Sequence, residues 1–231
     1  MPPPRRAPGA DHLGDFTTSD RRMVSIAIFA VLVGVIGALV AAALYDLIGF
    51  FTNLFYYGRL SVATLPPANT WGVLSIGVPV AGGLIIGVMA RFGSERIRGH
   101  GIPEALESIL IDRSRVAPKL AVLKPISSAI SIGTGGPFGA EGPIIMTGGA
   151  LGSVFGQFLR LTATERKTLL VAGAAAGMAA IFNTPVSAVL LSVELLLFEW
   201  RPRSLIPVGV ASATATFVSW YIIPAHGFGP L

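Results

Sequence analysis

Glu141 is the residue in this chain whose chemistry most needs an explanation, because it is an acid placed deep in apolar sequence. It belongs to the run Gly133-Thr134-Gly135-Gly136-Pro137-Phe138-Gly139-Ala140-Glu141-Gly142-Pro143, which ends in a proline suited to open a helix through Ile144 and Met146. A charge at membrane depth costs at least ~2.5–3.5 kcal/mol unless something compensates it. A helix N-terminus carries roughly half a positive charge and unpaired N–H donors, so it can compensate a carboxylate or bind an anion. Ionised Glu141 and a permeant anion would then compete for one place, and protonation would free that place: this is a gate. The alternative is a capping carboxylate of structural use only.

A second run of the same kind is Gly99-His100-Gly101-Ile102-Pro103, leading into Glu104 to Ile111. Pro103 fits a first-turn position, with His100 or Gly101 as the cap, and the glycines leave backbone donors open to an anion. The alternative is an ordinary cytoplasmic turn into an amphipathic helix. Neither run contains a basic residue, so an anion there would be held by helix ends. The Gly-rich run around Glu141 lacks the Lys-Ser/Thr ending of a phosphate loop and follows no strand pattern, which discounts nucleotide binding.

Other chemistries lack their residues. There is no cysteine, and the three histidines, His12, His100 and His226, are scattered, so the sequence implies no metal site and no cofactor. A membrane-embedded enzyme using Glu141 as general acid or base would need a partner acid, histidine or nucleophile, and spacing places none beside it. The net charge is +5 from 17 Lys and Arg against 12 Asp and Glu, but the basic residues fall between apolar stretches, which argues against nucleic acid.

The elements that must position these runs are helices in a membrane. Of 231 residues, 52% are hydrophobic and only 13% charged, and the mean hydropathy of +0.71 nearly excludes a soluble globular enzyme. Residues 1–22 combine Pro, Gly and mixed charge and read as a short disordered tail. The stretch from Met23 to about Phe55 exceeds both a signal core and the ~20 residues that cross a bilayer, so it reads as a long, tilted span. A second span runs from about Trp71 to Met89, after a break at Pro66 and Pro67. Four arginines in the tail and seven Lys or Arg from Arg91 to Lys124 assign both segments to the cytoplasmic side.

Beyond Met89 the apolar stretches are cut by Gly and Pro: 101–111, 120–138, 142–159, 168–182, 185–200 and 204–223. Interrupted helices at membrane depth must be buried in protein or line a wet cavity, as in transporters and channels. Gly173, Ala174, Gly177 and Ala180 form a stripe for close helix packing. Asn183-Thr184-Pro185 ends one helix and starts another. Glu194 is a candidate for a water-filled path, Glu199 beside Trp200 and Arg201 reads as interfacial, and Asp46 reads as a buried structural acid.

On these residues the sequence resembles the CLC family of chloride channels and chloride/proton exchangers. GHGIPE at 99–104 is similar to the family's first anion motif, GSGIP; GAEGP at 139–143 is similar to its second, G(K/R)EGP; and 172–194 is similar to the stretch that follows. The resemblance covers about 23–223. It implies an all-helical, multi-pass inverted repeat with broken helices, of which this chain would be the first half and 224–231 a truncated end. It also implies a homodimer in the plasma (inner) membrane with a cytoplasmic N-terminus, one pore per subunit and dimer contacts from about 185–212. Gly99, His100, Gly101, Ile102, Pro103, Gly139, Ala140, Gly142 and Pro143 would hold chloride or a similar anion, with Glu141 as gate, protons as a possible second substrate and Glu194 as a candidate secondary proton path.

The departures also carry expectations. His100 stands where the family usually has Ser, and Ala140 where it usually has a basic residue. The internal proton glutamate of exchangers aligns with Leu195, next to Glu194, which leans toward a channel. The family's second-half G-x-F-x-P motif has only near matches, Gly227 to Pro230 and Gly136 to Ala140, so a non-transporting fragment is the competing reading.

Overall fold

The computed structural model describes residues 20–67 and 72–223. Most of the expected tail, and all of 224–231, lie outside the described residues. Where the tail was expected to reach Arg22, helix α1 (Asp20–Thr52) has already begun. The helix runs on into a π-helical turn, Asn53–Tyr57, closed by Gly58 at φ 62°.

The second span is composite. A 3-10 turn, Gly72–Ile76, feeds α2 (Gly77–Phe92), and Trp71 lies outside the described residues. Then come α3 (Ile102–Leu110), α4 (Pro118–Gly133), α5 (Glu141–Phe158), α6 (Ala163–Phe182), α7 (Pro185–Ser192) with a π-helical extension Val193–Leu197, and α8 (Pro202–Ile222). Proline opens α4, α7 and α8 and sits second in α3, where its missing N–H is not needed. There is no strand among the described residues. Among the described residues, two helices are long and apolar enough to cross a membrane, Arg22–Tyr57 and Pro202–Ile222.

Helix α6 is the centre of the packing. Thr168 to Ile181 are buried without a break, as expected of a helix apolar on every side. It packs against α5, α1 and α8 through the small residues that the sequence singles out. A Cβ on Gly173 would strike the Gly148 carbonyl, and one on Gly148 would strike that of Gly173. The two backbones touch, which is the geometry small-residue stripes permit.

Candidate anion site

The loop carrying the second motif is fixed from α1 and α4. Tyr56 Oη donates to the Thr134 carbonyl at 3.0 Å, and Thr134 Oγ1 donates to Ile130 O at 2.7 Å. Gly135 takes φ 87°, which a side chain would resist, and any Cβ there would press on the Tyr56 hydroxyl. The chain then turns through Gly136 to Ala140 and enters α5 at Glu141. The Ala140 cap position has no side-chain hydrogen bond. Glu141 is exposed, its carboxylate folded back over Gly139, where a Cβ would collide with it. Among the described residues it has no hydrogen bond or ion pair, so the capping alternative lacks its bond.

The first motif enters α3 through Gly101, whose φ of 115° demands glycine. Glu104 reaches back one turn, and its Oε2 accepts the Gly101 N–H at 2.7 Å. One donor of this helix end is therefore taken internally.

Lys124 was missed as a site residue and counted above as a flanking charge, but the structure corrects that. It is 1% exposed; its Nζ donates to Ile97 O at 3.1 Å and also to Gly99 O, while the charge of Glu104 acts on it. The fold turns α4 inward here, so the ammonium braces the loop and faces the same cavity as both motifs. The usable signal was a cation in the interior of an apolar helix, about two turns past its start, which is functional by default.

The two loops meet backbone to backbone. A Cβ on Gly101 would overlap the Gly142 carbonyl, and one on Gly142 would overlap the His100 carbonyl and approach its Nδ1 to 2.7 Å. The N-termini of α3 and α5 thus converge beside a cavity of about 420 Å³, lined by Gly99, His100, Gly139 and Pro143 from the motifs and by Lys124, Arg98 and Ser127 among others. Helix ends are not the only positive groups there. His100 is exposed and Ala140 half-buried, while Ile102 faces a small void with Leu195 and Ser192.

Glu194 does not join this cavity. It is exposed on the π-helical extension after α7, while its neighbour Leu195 turns inward. Glu199 accepts from Ser204 Oγ at 2.6 Å and pairs with Arg201 at 3.6 Å. Asp46 is half-buried, less enclosed than a buried structural acid.

Among the described residues, an all-helical bundle brings two helix N-termini together beside one largely apolar cavity that carries Lys124 and Arg98, an arrangement of the kind found in broken-helix membrane proteins. The model of the voltage gated chloride channel family matches residues 82–229, and the chain belongs to that family. It is 33% identical over 203 residues to an H(+)/Cl(-) exchange transporter, ClcA, of Cronobacter sakazakii, covering 83% of this chain and 42% of that protein. It is 30% identical over 151 residues to the chloride channel protein CLC-f of Arabidopsis thaliana, covering 62% of this chain and 18% of that protein. The structure of a slow cyanobacterial Cl-/H+ antiporter superposes with TM-score 0.63 at 21% identity, over 90% of this chain and 48% of the other. The chain thus spans less than half the length of these proteins.

Proposed function

We propose that the intact protein moves chloride, or a similar small anion, through the site where the two glycine motifs meet, with Glu141 as its gate. The observation that supports this most is the backbone contact of Gly101 with Gly142, which joins two helix N-termini beside a cavity that also receives Lys124. Glu141 is free to swing: its carboxylate has no bond to hold it, and the positive end of α5 lies beneath it.

Transport is channel-like, with weak proton coupling. Leu195 stands where exchangers carry an internal proton glutamate, and Glu194 beside it is turned outward. The related proteins include both a named exchanger and a named channel, so the reading rests on this residue pair. The protein works as a homodimer in the inner membrane with a cytoplasmic N-terminus, joined through residues of about 185–212. Val186, Leu190, Phe198 and Ile206 give that stretch an exposed apolar surface suited to burial against a second subunit.

Liposomes containing the full-length protein test the proposal. Chloride efflux with little proton movement in the opposite direction is the expected result. Passage of potassium but not chloride would end the anion reading, and a fixed proton-to-chloride ratio would end the channel-like one.

A further inference from the structure

At the opposite end of α5 and α6 from the gate, two loops are locked onto one frame. They are 111–117, between α3 and α4, and 159–162, between α5 and α6. Arg166, 6% exposed, sends Nε and Nη2 to Arg113 O at 3.1 and 2.6 Å and Nη1 to Leu161 O at 3.3 Å. Ser153 Oγ donates to Ser114 O at 2.6 Å and accepts from Val116 N at 3.1 Å. Gln157 Nε2 donates to Val116 O at 3.0 Å. Held in this way, Arg113, Ser114 and Arg160 keep left-handed backbone at φ 51°, 58° and 51°, a conformation that persists in such residues only where the surroundings over-determine it.

The frame displays cations that have no counterion among the described residues. Arg113, Arg115 and Arg160 are exposed, and the nearby acids are engaged elsewhere. Asp112 and Glu107 both pair with Arg96, at 2.9 and 3.3 Å. Glu165 accepts from Thr162 at 3.0 Å and pairs with Arg22 at 3.7 Å. Buried Arg166 adds a fourth guanidinium whose hydrogen bonds all go to neutral carbonyls, and Arg115 repels it. Crowding like charges in this way is unfavourable until an anion arrives.

Large apolar side chains stand beside the arginines in sequence. Leu110 and Ile111, just before Arg113, are 73% and 72% exposed, and Phe158, just before Arg160, is 84% exposed. A ligand that satisfies both sets of groups has a phosphate for the guanidiniums and hydrocarbon for the apolar rim. Both loops belong to the side that the basic residues assign to the cytoplasm.

We propose that Arg113, Arg115 and Arg160, with the rim of Leu110, Ile111 and Phe158, form a binding surface for the headgroup of an anionic phospholipid in the cytoplasmic leaflet. The apolar rim selects a lipid over free phosphate, because a soluble ion would leave those side chains in water. The proposal rests on the membrane placement of the chain and is independent of the anion site at Glu141.

The test uses the full-length protein in micelles doped with phosphatidylglycerol or phosphatidylcholine, with retained lipid read by native mass spectrometry. Wild type should retain phosphatidylglycerol preferentially. Each arginine near an anionic surface is worth about fivefold in binding, so the triple variant Arg113→Gln/Arg115→Gln/Arg160→Gln should lower that preference by about 100-fold. Arg59→Gln, which removes one arginine charge in the loop after α1, should leave it unchanged. If the triple variant does not fold, Arg160→Gln alone should still show about a fivefold loss. Equal retention of the two lipids by wild type, an undiminished preference in the variants, or displacement of the lipid by millimolar inorganic phosphate would overturn the proposal. Chloride flux of the triple variant in phosphatidylcholine liposomes should match wild type, so a failure of the anion reading shows up separately.

Discussion

Replacing Lys124 with methionine keeps much of the side-chain length and removes the one buried ammonium that braces the first motif. Two carbonyls, of Ile97 and Gly99, lose their donor, at about 1–3 kcal/mol for each buried group left unpaired. The side chain is 1% exposed, so relief of its own desolvation offsets part of this, and a net loss of about 2–3 kcal/mol remains. The electrostatic effect on the anion is separate. A unit charge within about 8 Å, at an effective dielectric of ~20, contributes about 2 kcal/mol, or roughly thirtyfold in affinity. Thermal unfolding and chloride titration calorimetry on the full-length Lys124→Met protein measure the two quantities. The melting temperature should fall by several degrees and chloride should bind some thirtyfold more weakly. Adding Glu104→Gln should recover part of the stability, because the carboxylate that faces the lysine is then no longer left without its counter-charge. If Lys124→Met binds chloride within twofold of wild type and melts at the same temperature, the bracing argument is wrong in both its parts.

Three further outcomes follow from the same geometry. Glu141→Gln keeps the side-chain volume and removes the charge, so anion flux should rise and lose most of its pH dependence; a retained pH profile in liposome flux would reject the gate. Gly101→Ala places a methyl against the Gly142 carbonyl at a φ of 115°, so chloride binding should be abolished and the melting temperature lowered, whereas Gly83→Ala, where a Cβ meets open space, should fold normally. His100 lines the cavity with Lys124 and Arg98, so His100→Ser should shift chloride affinity; identical chloride affinities of the two proteins would exclude a part for the ring.

The breaks in the chain were legible because they are local. Pro103, Pro143 and Pro185 lie in the first turns of their helices for reasons contained within a few residues, and the stripe from Gly173 to Ala180 marks a face made for close packing before any partner is known. The apolar lengths and the few charges between them determine a membrane protein. Glu141 at a helix start could be read in the same way, and so could its resemblance to a gating glutamate. Tertiary structure alone decided which groups share a space. Gly101 and Gly142 touch across some forty residues of sequence, and nothing in either motif states which backbone the other must meet. Glu194 and Leu195 differ by one position, and the turn of the π-helical extension from one residue to the next sends the acid outward and the leucine inward. Lys124 has the composition of a flanking charge, and only the rotation of α4 against the loop at Ile97 to Gly99 makes it part of the site. Local sequence encodes where the backbone bends and which face is apolar; the phase of one helix against another comes from side chains interlocking across the whole bundle, and that is where the site's charges are arranged.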